Sequence, residues 1–309
     1  MDSVKNISII FISIFLESLP FLVLGSIISA TIETYVSNET ITKIIPKNKV
    51  LASIVGVFLG FFLPACDCAV IPVSKRLLKK NVPINVAISF MLSSPIINPV
   101  VLLSTYKAFY MTNPNIFWYR LLFGIIIALL IGIIMGIIFD KKEVIKNRLL
   151  DDEECHCHHD EIEIIDDCDS CKHTFKKDII SICKHTGNDL FEVLKYLILG
   201  ALIASLTQVL LPRNILMIFK NSEILSIIVL MLFAYLVSLC STSDSFVGKS
   251  LLSIFSEKAI IAYLLLGPMI DIKNTIVLLG NYKKKFVLTL ISLIFIVIFI
   301  FSLLVVRIL

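Results

Sequence analysis

Outside residues 155–185 this sequence has no histidine, and only three of its eight cysteines: Cys66, Cys68 and Cys240. It contains no complete Gly-x-x-x-x-Gly-Lys-Ser/Thr phosphate loop and no aspartyl-phosphate motif, which excludes the common self-contained ATP-driven machines. Charged residues make up only 17% of the 309, tryptophan occurs once, and no nucleic-acid partner is expected. So little charge excludes a soluble domain, which must cover its surface with polar side chains.

Apolar residues fill that space. They form 57% of the chain, and the mean hydropathy is +0.93. Windows 121–139, 224–243 and 286–306 are nearly charge-free and match the ~20 residues a helix needs to cross hydrocarbon. Shorter or interrupted windows lie near 7–32, 50–66, 81–106, 190–212 and 259–280. The first runs well past a signal-peptide core and has no A-x-A-like cleavage site after it, so it is read as a span. The expectation is an all-α polytopic protein of the cell membrane with about eight spans, within a range of eight to ten. A cytoplasmic N-terminus is weakly favoured, although Lys283–Lys285 then fall on the wrong side. Lys75, Arg76, Lys79 and Lys80 are expected to form a solvated basic face.

The two halves resemble each other. Leu16–Gly25 matches Phe191–Gly200, pairing Glu17 with Glu192. Cys66–Leu78 matches Cys240–Leu252, and Ser94-Pro-Ile-Ile-Asn98 matches Gly267-Pro-Met-Ile-Asp271. The expected organisation is a first membrane repeat at 1–140, a cytosolic acidic segment at 141–188 and a second repeat at 189–309. Matching interruptions by Pro, Gly and polar residues point to broken helices around a midplane binding site. Parallel and inverted repeats both remain open, because an extra half-helix in each half would invert the second.

Half of the ten prolines fall between Pro64 and Pro99, so helices should open at Pro64–Cys68 and again at Ser94–Pro99. Cys66, Cys68 and Cys240 read either as small apolar packers or as soft ligands facing one another across the halves. Asp67 and Asp244 are carboxylates at membrane depth, which usually mark a pathway. With Ser243, Asn98 and Asp271 they complete the candidate substrate site, and Glu17 is the candidate proton carrier. In the middle segment, Cys155, His156, Cys157, His158, His159, Cys168, Cys171, His173, Cys183 and His185 form a donor set for Zn(II) or Cu(I). No cofactor is required for function on this reading, and zinc or copper is expected on that loop. A homodimer is a possible assembly.

Pro64-Ala-Cys-Asp-Cys-Ala-Val-Ile-Pro72 and Ser94-Pro-Ile-Ile-Asn-Pro99 resemble the motifs of the predicted permease family that includes the arsenic-efflux permease ArsP and YraQ. The likeness implies export of a toxic metalloid through Cys66, Cys68 and Cys240. Asp67 inside the Cys pair and the Cys/His loop depart from the common pattern. A branch with such a loop is regarded as copper/zinc efflux, which shifts the implied cargo toward Cu(I) or Zn(II). The expectation is thus a non-enzymatic secondary permease for a soft metal or metalloid. The alternatives are an intramembrane thiol-disulfide oxidoreductase using Cys66 and Cys68, or a membrane metal sensor.

Overall fold

The computed structural model describes residues 2–35, 45–46, 48–62, 67–144, 175–210 and 222–304. Among these residues every regular element is a helix. The first half contains α1 (Asp2–Tyr35), α2 (Lys49–Phe62), α3 (Asp67–Lys79), α4 (Ile84–Ile97), α5 (Pro99–Phe109) and α6 (Asn115–Ile138). After the short α7 (Lys141–Val144), the second half repeats the order. Its helices are α8 (Phe175–Leu210), α9 (Glu223–Val237), α10 (Ser241–Leu251), α11 (Glu257–Met269), α12 (Ile272–Asn281) and α13 (Lys284–Leu304). Among the described residues the duplication therefore consists of six helices per half, with α8 already under way at Phe175.

Close contacts fix the direction of each helix. A Cβ on Gly56 would lie 2.4 Å from the Val86 carbonyl oxygen, and one on Gly60 would lie 2.5 Å from Ser93 Oγ, so α2 and α4 run parallel. At their shared start, Asn85 donates to the Lys49 carbonyl oxygen at 2.8 Å. The turn after α3 reaches this same end, where Pro46, Lys49, Asn81, Pro83 and Asp140 border one surface cavity. α2 and α3 thus enter and leave at one end of the bundle. With 14 residues, α2 is ~21 Å long, short of the ~30 Å hydrocarbon layer. The two helices form a re-entrant hairpin in which the end of α2 and the start of α3 lie at mid-depth.

The second hairpin enters from the opposite end. Glu223 and Lys258 form an ion pair that joins the starts of α9 and α11. Asn113, in the turn between α5 and α6, donates to Glu257 at that same end. α6 and α13 are antiparallel, because Phe123 meets Phe301 while Phe139 meets Phe286 at ring-centroid distances of 5.8 and 5.3 Å. Equivalent helices that run antiparallel require inverted repeats, with the pseudo-two-fold axis in the membrane plane.

The expected eight spans are not reached among the described residues. Among the described residues five helices are long and apolar enough to cross, and six if the pair α4–α5, bent by 41°, is one broken span. Eight is reached only by counting α2 and α9, the two shorter apolar helices, each of which turns back at the centre. The windows near 50–66 and 224–243 are apolar because they are buried in protein and lipid at mid-depth, a property that does not require a crossing.

Every residue of α4 and nearly all of α11 are buried, and these two helices form the central core. α6 and α13 flank them with mostly apolar outer faces such as Leu122, Ile126, Leu288 and Ile296. α1 and α8 pack on each other and on α3 and α12, where Gly25 meets Ala69 and Gly200 meets Lys273.

Candidate functional site

The site is built from helix ends that the sequence places at mid-depth. Asn98 ends α4 and caps α5, its Oδ1 accepting from Val100 N at 3.0 Å, with Pro99 at the first helical position, where no amide hydrogen is needed. Asp271 performs the equivalent service for α12, accepting from Asn274 N at 2.6 Å. Ser238 ends α9 in the left-handed region, at φ 53°. Its hydroxyl donates to Asp271 Oδ2 at 2.6 Å, so the break in one helix is tied to the break in another. α3 begins at Asp67 and ends on Arg76 and Lys79, charges that suit the dipole at each terminus.

The two hairpin tips meet. Ser241, the first residue of α10, donates to Oδ1 of Asp67, the first residue of α3, at 2.8 Å. Beside this contact is a cavity of about 50 Å³. Its walls are Glu17 and Ser18 from α1, Asp67 and Cys68 from α3, Ser238, Cys240 and Ser243 from the α9–α10 break, and Lys273 from α12. Cys68 Sγ donates to Asn274 Oδ1 at 3.5 Å, and Cys240 Sγ is 3.3 Å from Thr242 Oγ1. Lys273 Nζ lies 3.6 Å from Asp271 Oδ2. Both cysteines are thiols, one from each half of the chain. A second, smaller cavity of about 10 Å³ touches Asp67 from the α4, α11 and α12 side, bordered by Met91, Pro95, Pro268 and Asn274.

Five residues expected from the sequence, Glu17, Asp67, Cys68, Cys240 and Ser243, line the same cavity. Asp271 stands directly behind it through Ser238 and Lys273. Asn98 is a helix cap outside the lining, and Asp244 lies on another face of α10. Cys66 lies outside the described residues, as do Cys155, His156, Cys157, His158, His159, Cys168, Cys171 and His173. Cys183 and His185 fall on the backbone of α8. Among the described residues no three His, Cys, Asp or Glu side chains converge as a metal site.

Two basic residues escaped the sequence reading. Arg120, fully buried in α6, donates from Nη1 to Thr105 Oγ1 at 2.7 Å and to Ser245 Oγ at 2.8 Å, and from Nη2 to the Ser241 carbonyl at 3.3 Å. Lys273 is 5% exposed. Arg120 sits at the edge of an apolar window and Lys273 inside one, where an intramembrane charge is itself a functional signal. The solvated basic face also needs correcting at Lys75, which is buried and donates to Asn281 at 3.1 Å, while Ser74 and Tyr282 hydroxyls lie 2.8 Å apart. α3 thereby fastens the first half to α12 of the second.

A family model described as a predicted permease matches residues 3–306 of the chain. A Streptococcus mutans protein named "Putative two-component membrane permease complex subunit" is 38% identical over 305 residues, 98% of this chain and 96% of that protein. The "UPF0718 protein YcgR" of Bacillus subtilis is 38% identical over 304 residues, 98% of each chain. No solved structure matches.

Proposed function

The chain belongs to this family of predicted permeases, and on that premise we propose that it is a secondary transporter exporting a soft metal ion or metalloid. The observation that carries the reading is a cavity at the meeting point of two inverted hairpins, with a thiol from each half and the carboxylates of Glu17 and Asp67 in its wall. Two thiols suit Cu(I) or a trivalent methylarsenical, and Cys66 would add a third sulfur for a centre of higher coordination. Lys273, in the same wall and 3.6 Å from Asp271 Oδ2, supplies a counter-charge to the acidic groups around the site.

The Cys/His segment between the halves would receive metal and present it to the bundle. Among the described residues Lys49, Arg76, Lys79, Lys80 and Lys283–Lys285 cluster at the end from which the first hairpin enters, whereas the other end has Lys5, Lys107, Lys249 and Lys258. By the positive-inside rule the first end faces the cytoplasm, on the same side as the Cys/His segment that follows α7; α1 starts at the other end, which reverses the cytoplasmic N-terminus expected from the sequence. A partner subunit is also proposed, since one relative is named as part of a two-component complex.

The test is flux into everted vesicles of a metal-sensitive host, using Cu(I), Zn(II) and methylarsenite. Cys68→Ser and Cys240→Ser should each lower uptake of the true cargo about tenfold or more at limiting concentration. Equal uptake by wild type and both variants would remove the thiol site, and failure of folded wild type to move any of the three would remove the reading itself.

A further inference from the structure

The cavity occupies one face of α10, and another face of the same half-helix carries a buried ionic cluster that cargo binding leaves unused. Asp244 is 2% exposed and takes one hydrogen bond, from Tyr263 Oη to Oδ1 at 2.9 Å. Its Oδ2 has no hydrogen-bond partner, and it points to where Gly267 lacks a side chain: a Cβ there would lie 2.6 Å away. Arg120 directs Nη1 and Nη2 at neutral groups, Thr105, Ser245 and the Ser241 carbonyl, while its Nε is also without a partner.

A buried carboxylate oxygen and a buried guanidinium nitrogen left unbonded in one cluster are costly, and such groups persist where a second arrangement uses them. Protonated, Asp244 is neutral and carries an O–H that can donate. Ionised, it attracts Arg120 away from the hydroxyls of Thr105 and Ser245. Both Ser241 and Ser245 lie on α10, so a shift of Arg120 acts on the half-helix whose Cys240 and Ser243 line the cavity and whose Ser241 holds Asp67. The charged and titratable groups facing Asp244 are Arg120 of α6, Tyr263 of α11, and Asp271 and Lys273 of α12, with Asp67 of α3 acting on Arg120. From α5 come the uncharged Ser104 and Thr105.

We propose that Asp244, with Arg120 and Tyr263, is the proton-coupling site of this transporter, and that α10 relays its charge state to the cargo cavity. This assigns coupling to a residue apart from the cavity lining, in place of Glu17. The proposal rests on the secondary-transport reading. In each cycle Asp244 Oδ2 takes one proton from water on one side and returns it to water on the other, with no other bond made or broken.

Two measurements test it on the full chain in liposomes. Infrared difference spectra between about pH 5 and 9 should contain a protonated-carboxyl band that titrates in wild type, vanishes in Asp244→Asn and moves its midpoint in Tyr263→Phe. A titrating band unchanged in Asp244→Asn overturns the assignment, whatever the cargo. In the second, a pH gradient drives Cu(I), Zn(II) or methylarsenite. Asp244→Asn should lose gradient-driven flux by about tenfold or more yet keep gradient-free exchange of the same cargo near wild type. Retained gradient-driven flux in that variant overturns coupling at Asp244 and leaves transport standing. A wild type that moves none of the three removes the transport reading, and the infrared band then decides by itself whether Asp244 exchanges a proton.

Discussion

At the scale of single residues, the contact between Asp67 and Ser241 explains why the two halves differ. Both follow the cysteine that anchors the sequence match, Cys66 and Cys240, so they are equivalent positions of the repeat. A pseudo-two-fold axis brings residues beside it face to face with their own equivalents. Two aspartates there would repel at mid-membrane, whereas an aspartate and a serine make a donor–acceptor pair of 2.8 Å. The serine in the second half thus avoids a like-charge pair at the meeting point of the two halves. Ser241→Ala would leave a buried Asp67 oxygen short of its donor and should cost about 1–3 kcal/mol. The expected result is a lower melting temperature in detergent, and Ser241→Asp should melt lower still. An unchanged melting curve for both would mean the hairpin tips do not meet as described.

Helix packing explains how a 14-residue apolar helix can stop at mid-depth. α2 lies against α4 with glycines at Gly56 and Gly60, so the backbones approach without intervening side chains. A Cβ at Gly56 would strike the Val86 carbonyl, which belongs to the rigid central helix and does not yield. Gly56→Leu should therefore reduce the folded yield of the protein sharply, measured by monodisperse recovery in detergent. Gly187→Leu is the control, since nothing lies within 4 Å of a Cβ there, and it should be recovered like wild type. The same close packing is why window 50–66 read as a crossing in the sequence: hydropathy records that a segment avoids water and carries no information about where it turns.

For the whole molecule, two opposed hairpins change which loops share a side. Lys49, Asn81, Asp140 and Lys284 all lie at one end, and Met111, Ser222 and Ser253 at the other. An eight-span chain would instead separate residue 49 from 81, 222 from 253 and 140 from 284. Single cysteines at these positions, in a variant lacking the loop cysteines, should label with a membrane-impermeant reagent in the two groups just named. Opposite labelling of residues 49 and 81 would exclude the hairpin. Lys283–Lys285 then lie at the same end as Lys49, Arg76, Lys79 and Lys80, the grouping that the proposed orientation uses.

The sequence by itself determined the membrane class, the duplication and five of the eleven residues that line the cavity. Each of these rests on residue identity at a position: apolar windows, aligned polar anchors, and thiols or carboxylates where hydrocarbon should be. It left the repeats undecided between parallel and inverted, because that choice depends on whether α2 and α9 cross or return, which their contacts with α4 and α11 settle. It also gave Asp244 the same role as Asp67, since both are acids in a polar break. Only the packed structure separates them: Asp67 sits on the pseudo-axis beside the cavity and Asp244 is one turn further along α10, against Arg120 and Tyr263. The face of a half-helix on which a charge lies is fixed by what packs around it, and that information is spread over α5, α6 and α11, far from Asp244 in the chain.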